Sequence, residues 1–247
     1  MLAITSHWGD SLKRFALVAV VALALTGCAS QTPPVSEKVQ QYYDQNVANA
    51  KAGPPTSAPM PKVAFLGDSY TYGNGAGSPA ARWSTRTALT MGWDEINAGV
   101  SGTGYSNGGT NAGGKPYTDR VADIVSQRPA IVIVSGGRND LVQKDARALD
   151  AAVTKTFADL RAGLPTAKIV ALSPVWDDDQ PPTQLPALGE TVRAAVTTVG
   201  GTYLDIGEPL VGHPEAMSKD GVHPNDAGYK LLADATVEAL TAAGIQS

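Results

Sequence analysis

From Lys62 onward, short apolar runs alternate with stretches of helical periodicity, and this alternation restricts the fold more than any other feature of the chain. Val63-Ala64-Phe65-Leu66, Ile131-Val132-Ile133-Val134 and Ile169-Val170-Ala171-Leu172 each read as a short strand without a polar position. Thr202-Tyr203-Leu204 reads as a weaker one. A strand apolar on both sides suits a sheet covered on both faces. Helical stretches lie between the strands, at Trp83 to Met91, Thr118 to Gln127, Ala146 to Ala162 and Gln184 to Val199. Tyr229, Leu232, Ala233, Thr236, Val237 and Leu240 form the inward stripe of a final helix that Asn225 can cap. The alternation predicts a parallel, doubly wound sheet, whose ligands bind beyond the carboxyl ends of the strands. At 247 residues the chain holds one such α/β domain with an N-terminal extension.

The extension has its own logic. Lys13 and Arg14 precede the apolar run Phe15 to Leu25, which falls short of the roughly 20 residues of a membrane span. A basic flank, a short apolar run and small residues read as a secretory signal. Leu25-Thr26-Gly27-Cys28 resembles a bacterial lipobox, in which Cys28 is diacylated and becomes the first mature residue; the alternative is an ordinary signal peptide with an incidental cysteine. Cys28 is the only cysteine, so no intramolecular disulfide can form. Val35, Val39, Tyr42, Tyr43 and Val47 then recur at helical spacing, and Ala52 to Pro61 carries four prolines that favour an extended linker. Residues 1–27 are thus read as a lipoprotein signal peptide, 28–61 as tether, amphipathic helix and Pro-rich linker, and 62–247 as the functional domain. The expected location is outside the cytoplasmic membrane, held there by lipid. The formal charge of −4 argues against nucleic acid, whose phosphates need clustered positive charge.

The residues that can carry chemistry sit just after strands or near the end. Gly67-Asp68-Ser69-Tyr70 follows the first strand, with glycine allowing a sharp turn and Ser69 opening a helix where backbone N–H groups can meet negative charge. Alone, the tripeptide reads equally as a helix cap. The serine follows an aspartate and lacks the second glycine of the G-x-S-x-G elbow, which removes the ordinary α/β-hydrolase reading. Near the other end, Asp220-Gly221-Val222-His223 places a carboxylate three residues before a histidine, able to reach Nδ1 across one turn and leave Nε2 for Ser69. His213 has Glu215 after it and no such upstream carboxylate. Ser135-Gly136-Gly137-Arg138-Asn139-Asp140 offers an amide donor at Asn139 and glycines past which a substrate can approach, and Asn97 to Thr103 offers the Gly102 N–H. Each of these loops, taken singly, reads as a turn.

Taken together, the four blocks resemble the SGNH (GDSL-like) hydrolase family: Gly-Asp-Ser, a glycine, Gly-x-Asn-Asp and Asp-x-x-His, in that order, over roughly Lys62 to Leu240. The resemblance implies a flavodoxin-like three-layer α/β/α sandwich. It implies Ser69 as nucleophile, His223 as base and Asp220 as its orienter. It implies an oxyanion hole built from the Ser69 and Gly102 N–H groups and the Asn139 side chain. Tyr70 stands where the family name has leucine, a variation expected to leave the nucleophile unaffected. Arg138, at the variable position of its block, either points to solvent or meets an anionic acyl group. Trp176 with Asp177, Asp178 and Asp179 forms a second rim, facing a sugar ring or simply solvent.

The implied reaction is acyl transfer through a covalent serine ester, with no cofactor, and two histidines beyond the signal leave no set of zinc ligands. The leading function is a serine esterase acting on short acyl esters, such as O-acyl groups on envelope glycans. The alternatives are an envelope acyltransferase with the same triad, a lipase or phospholipase, and a non-enzymatic binding lipoprotein on the same scaffold. Gly99 to Pro116, rich in Gly, Asn and Ser, is expected to border the site as a long loop.

Overall fold

The computed structural model describes residues 59–110, 114–142 and 146–246, together with helical positions 41 and 44. The signal segment, Cys28 and most of the linker lie outside the described residues. Of the helix expected over Val35 to Val47, only those two positions lie within them. The chain divides into two compact units, Met1–Thr56 and Ser57–Ser247, and the sheet and the expected site residues belong to the second.

Five parallel strands form one sheet in the order β2-β1-β3-β4-β5. They are β1 Lys62–Gly67, β2 Asp94–Gly99, β3 Ile131–Val134, β4 Lys168–Leu172 and β5 Thr202–Leu204. The helices are α1 Ser69–Tyr72, α2 Trp83–Met91, α3 Tyr117–Gln127, α4 Ala146–Gly163, α5 Gln184–Thr198 and α6 Asp226–Ala242. Side chains alternate across each strand, so the unbroken apolar runs feed two cores. Val63, Phe65, Ile131, Ile133, Val170 and Leu172 face α2 and α6, packing on Trp83, Met91, Tyr229, Leu232 and Leu240. Ala64, Leu66, Val132, Val134, Ile169 and Ala171 face α3, α4 and α5, packing on Val121, Ile124, Phe157, Leu160 and Val192. The result is a three-layer α/β/α sandwich.

β2 was not legible as a strand. Asp94-Glu95-Ile96-Asn97-Ala98-Gly99 is polar because it forms the sheet edge, half exposed along its length, and its six-pair register with β1 supplies what its side chains do not. Asn225 caps α6 as expected, accepting from the Ala227 and Gly228 N–H groups. The order 2-1-3-4-5 reverses direction between β1 and β3, and it is there that a doubly wound sheet opens a crevice for ligands.

Candidate active site

Ser69 and Asn139 lie on either side of that switch point, one just past β1 and the other in a short 3-10 turn, Arg138–Val142, past β3. Asp68 caps α1, its carboxylate accepting from the Tyr70 N–H at 2.9 Å. Ser69 is 6% exposed, and its hydroxyl has no hydrogen bond among the described residues. Gly67 serves a different purpose from the sharp turn expected of it. β1 runs through it, and a Cβ there would lie 2.0 Å from Thr71 Oγ1, so α1 can fold back onto the strand only over a glycine.

Asp68 is fully buried, and desolvation pushes its pKa up to about 6 against the pull of the Tyr70 N–H, Arg138 and Arg120. The folded state therefore holds this proton to higher pH than the unfolded chain. The stabilisation is complete below the ordinary carboxylate range and is lost as pH rises through about 6. Asp68→Asn keeps an oxygen for the Tyr70 N–H and removes the titration. Thermal melts from pH 4 to 7 should show wild-type stability falling by up to about 3 kcal/mol relative to the variant. Parallel curves for the two proteins would contradict this.

The second cluster is the loop before α6. Asp220 Oδ2 lies 2.7 Å from His223 Nδ1. Its Oδ1 accepts from Ser218 Oγ at 2.8 Å and from the Val222 and His223 N–H groups, each at 2.9 Å. Gly221, at φ +65°, bends the loop so that one carboxylate can bind both the ring and the backbone. The bond from His223 is the largest of the influences that hold Asp220 far below the usual carboxylate range. An Nδ1–H donated to Asp220 leaves Nε2 as an acceptor, the tautomer a general base requires. Nε2 was expected to face Ser69; its partner here is Asn74 Nδ2 at 3.5 Å. Asn74, just past α1, also accepts from Ser101 Oγ at 3.1 Å through its side chain and from Tyr229 Oη at 2.6 Å through its carbonyl. Nothing in the sequence marked it. His213 instead pairs with Glu215 at 2.9 Å in an exposed turn.

The two remaining loops meet each other. Asn139 Nδ2 donates to the Thr103 carbonyl at 2.9 Å, which sets the amide beside Gly102 and, among the described residues, leaves its second N–H uncommitted. Asp140, 1% exposed, accepts from the Tyr105, Ser106 and Asn107 N–H groups and from Ser106 Oγ, at 2.8–3.0 Å. One buried carboxylate thus organises the long loop that carries Gly102. Arg120 of α3 binds the carbonyls of Ala98 and Gly67 and the Thr103 hydroxyl, at 2.5–3.0 Å, tying the ends of β1 and β2 to that loop. Gly136 was expected to admit substrate. A Cβ there would fall 2.3 Å from Tyr117 Oη and 2.8 Å from Asp68 Oδ2, so the space it leaves is filled by protein.

Arg138 neither points to solvent nor carries a free charge. Its Nη2 pairs with Asp177 at 3.0 Å, both side chains are 12% exposed, and its guanidinium lies 4.3 Å from the Trp176 ring centre. Asp177 thereby leaves the acidic rim and becomes an internal partner; Asp179 stays exposed. Tyr70, 6% exposed, does more than replace a leucine: its ring is 6.1 Å from that of His223 and its hydroxyl donates to the Val222 carbonyl at 2.6 Å. Among the described residues, no three His, Cys, Asp or Glu side chains gather to hold a metal ion.

Residues 65–231 match the model of the GDSL-like Lipase/Acylhydrolase family. The GDSL lipase Rv0518 of Mycobacterium tuberculosis is 32% identical over 183 residues, which span 70% of this chain and 78% of that one. Among solved structures, the carbohydrate acetylesterase Est24 of Sinorhizobium meliloti superposes with a TM-score of 0.56 at 18% identity, over 74% of this chain and 99% of that one. The salicylyl-acyltransferase SsfX3 of a tetracycline biosynthetic pathway does so with a TM-score of 0.59 at 22% identity, over 77% and 56%.

Proposed function

Since the chain belongs to the GDSL-like lipase/acylhydrolase family and shares its fold with a carbohydrate acetylesterase and an acyltransferase, we propose that it is a serine esterase cleaving short acyl esters with Ser69, His223 and Asp220. The observation that carries this reading is the 2.7 Å pair of His223 Nδ1 with Asp220, on a loop hydrogen-bonded to the residue after Ser69. In the reaction His223 Nε2 takes the Ser69 proton as Oγ attacks the ester carbonyl. The alcohol leaves with that proton, and water, deprotonated in turn by His223, releases the acid. The Ser69 and Gly102 N–H groups and the uncommitted Asn139 N–H are the donors for the oxyanion.

The acyl group is small in this reading. The loops that bear the site are polar and glycine-rich. The apolar cavity beside Tyr70, lined by Trp83, Leu172, Val175, Ile206 and Leu232, offers about 10 Å³, room for about one water. A long chain gains roughly 0.8 kcal/mol per buried methylene only where an apolar wall receives it. Across nitrophenyl esters from acetate to palmitate, kcat/KM is expected to peak between acetyl and butyryl. A peak at palmitoyl, in keeping with the lipase name of the mycobacterial relative, would replace this reading with a lipase one. The acetylesterase Est24 supports glycan O-acyl groups as the natural esters, and the acyltransferase SsfX3 supports transfer to a hydroxyl as the second reading. Mass spectrometry of products formed with envelope glycans separates free acid from transferred acyl. The resemblance of Leu25-Thr26-Gly27-Cys28 to a lipobox supports, as part of this proposal, a location outside the cytoplasmic membrane on a diacylated Cys28. Mass spectrometry of the N-terminal peptide is expected to find that lipid, and an unmodified terminus elsewhere would remove the anchor.

A further inference from the structure

Two consecutive hydrogen bonds join the immediate neighbours of three proposed site residues. Tyr70 follows Ser69, Arg138 precedes Asn139 and Val222 precedes His223. Arg138 Nη1 donates to Tyr70 Oη at 2.5 Å, and Tyr70 Oη donates to the Val222 carbonyl at 2.6 Å. Asp177 and the Trp176 ring hold the other side of the guanidinium. Resting on the assignment of Ser69 and His223 above, we propose that Arg138 and Tyr70 are positioning residues that hold the base loop in register with the nucleophile. Arg138 fixes and polarises the tyrosine hydroxyl, and the hydroxyl fixes the Val222–His223 peptide.

The loop needs such a tie. Lys219, Asp220, Gly221 and Val222 are all exposed, the Val222 side chain included, so little apolar packing restrains them. Among the described residues, the loop's hydrogen bonds to the Ser69 turn are the Tyr70 bond and the 3.5 Å contact of Asn74 with His223. The Tyr70 bond is the shorter, and its tyrosine is mostly buried and charge-assisted by a guanidinium. The charge of Arg138 is already paired with Asp177, and its Nη1 and Nη2 each commit a donor to the protein, which favours a hold on the tyrosine over a substrate contact.

The test uses Tyr70→Phe, Arg138→Gln and the double variant, with Arg138→Lys retaining one donor for the tyrosine. Nitrophenyl acetate kinetics give kcat and KM, a fluorophosphonate gives the labelling rate of Ser69 without substrate recognition, and melts report folding. In Tyr70→Phe and Arg138→Gln, kcat and labelling rate are expected to fall together by roughly 10–100-fold, since small misplacements of a catalytic group cost that much. KM is expected to stay within about twofold. The double variant should be no slower than the slower single one, and Arg138→Lys should recover part of the loss. Unchanged kcat and labelling, a rise confined to KM, or a double variant whose losses multiply would each overturn the proposal. If one of Arg138→Gln and Tyr70→Phe unfolds, the other decides. If both unfold, Asp177→Asn, which loosens the guanidinium that holds the tyrosine, is expected to lower kcat and labelling together with KM little changed, and wild-type values for it would refute the tie. Labelling that survives in Ser69→Ala would remove the assignment beneath the proposal, whatever the Tyr70 and Arg138 variants do.

Discussion

Ser69→Ala is expected to abolish turnover of nitrophenyl acetate and covalent labelling by a fluorophosphonate, while the protein melts as wild type does. The physical case begins with what the hydroxyl does in the fold. It makes no hydrogen bond among the described residues, and the cap of α1 belongs to the Asp68 carboxylate. Removing Oγ therefore leaves no buried partner unsatisfied, so the cost to stability is small. Chemically the loss is large, because the acyl-enzyme cannot form; nucleophile deletions in serine hydrolases lower kcat by roughly 10⁶-fold, and the residual rate comes from binding and the oxyanion donors. Intact-mass analysis after labelling is the cleaner readout, since it does not depend on knowing the natural ester. A phosphonyl adduct that persists in Ser69→Ala would place the nucleophile elsewhere.

How much of this was readable from the chain depends on what each residue answers to. The strands of the sheet centre were legible because burial on both faces demands unbroken apolar runs, as in Ile131 to Val134. β2 was not, because an edge strand is specified by its partner, and Asp94, Glu95 and Asn97 carry no apolar pattern. The pair Asp220 and His223 was legible because three residues and one glycine bend suffice to close it. The couplings between blocks were not. Asp140 gathers the backbone of residues 105–107, and Tyr70 reaches the carbonyl of residue 222, across separations that only the folded sheet makes short. Asn74 joins the His223 ring for the same reason. Glycines misled in another way: at Gly67 and Gly136 the requirement is space for Thr71, Tyr117 and Asp68, which depends on neighbours that local sequence does not name.

The base and its orienter should separate by the size of their effects. His223→Ala removes the group proposed to take the Ser69 proton, and kcat is expected to fall by roughly 10⁵–10⁶-fold. Asp220→Asn keeps the size of the side chain and an oxygen for the backbone N–H groups of Val222 and His223, so the loop can stay closed. What changes is the face turned to Nδ1. An amide there cannot stabilise the imidazolium that forms as Ser69 attacks, and an N–H₂ donor would favour the tautomer with its proton on Nε2, which cannot act as base. Asp220 has a side chain 52% exposed, so water softens the loss relative to a fully buried carboxylate, and a fall in kcat of roughly 10³-fold is expected. KM should change little in either variant, since neither group is asked to bind the ester before proton transfer. His213→Ala serves as the comparison: its ring pairs with Glu215 in an exposed turn, and its removal should leave kcat near wild type. Were His213→Ala the severe variant and His223→Ala the mild one, the Asp220–His223 pair would be a loop staple, and the base would have to be sought at residue 213.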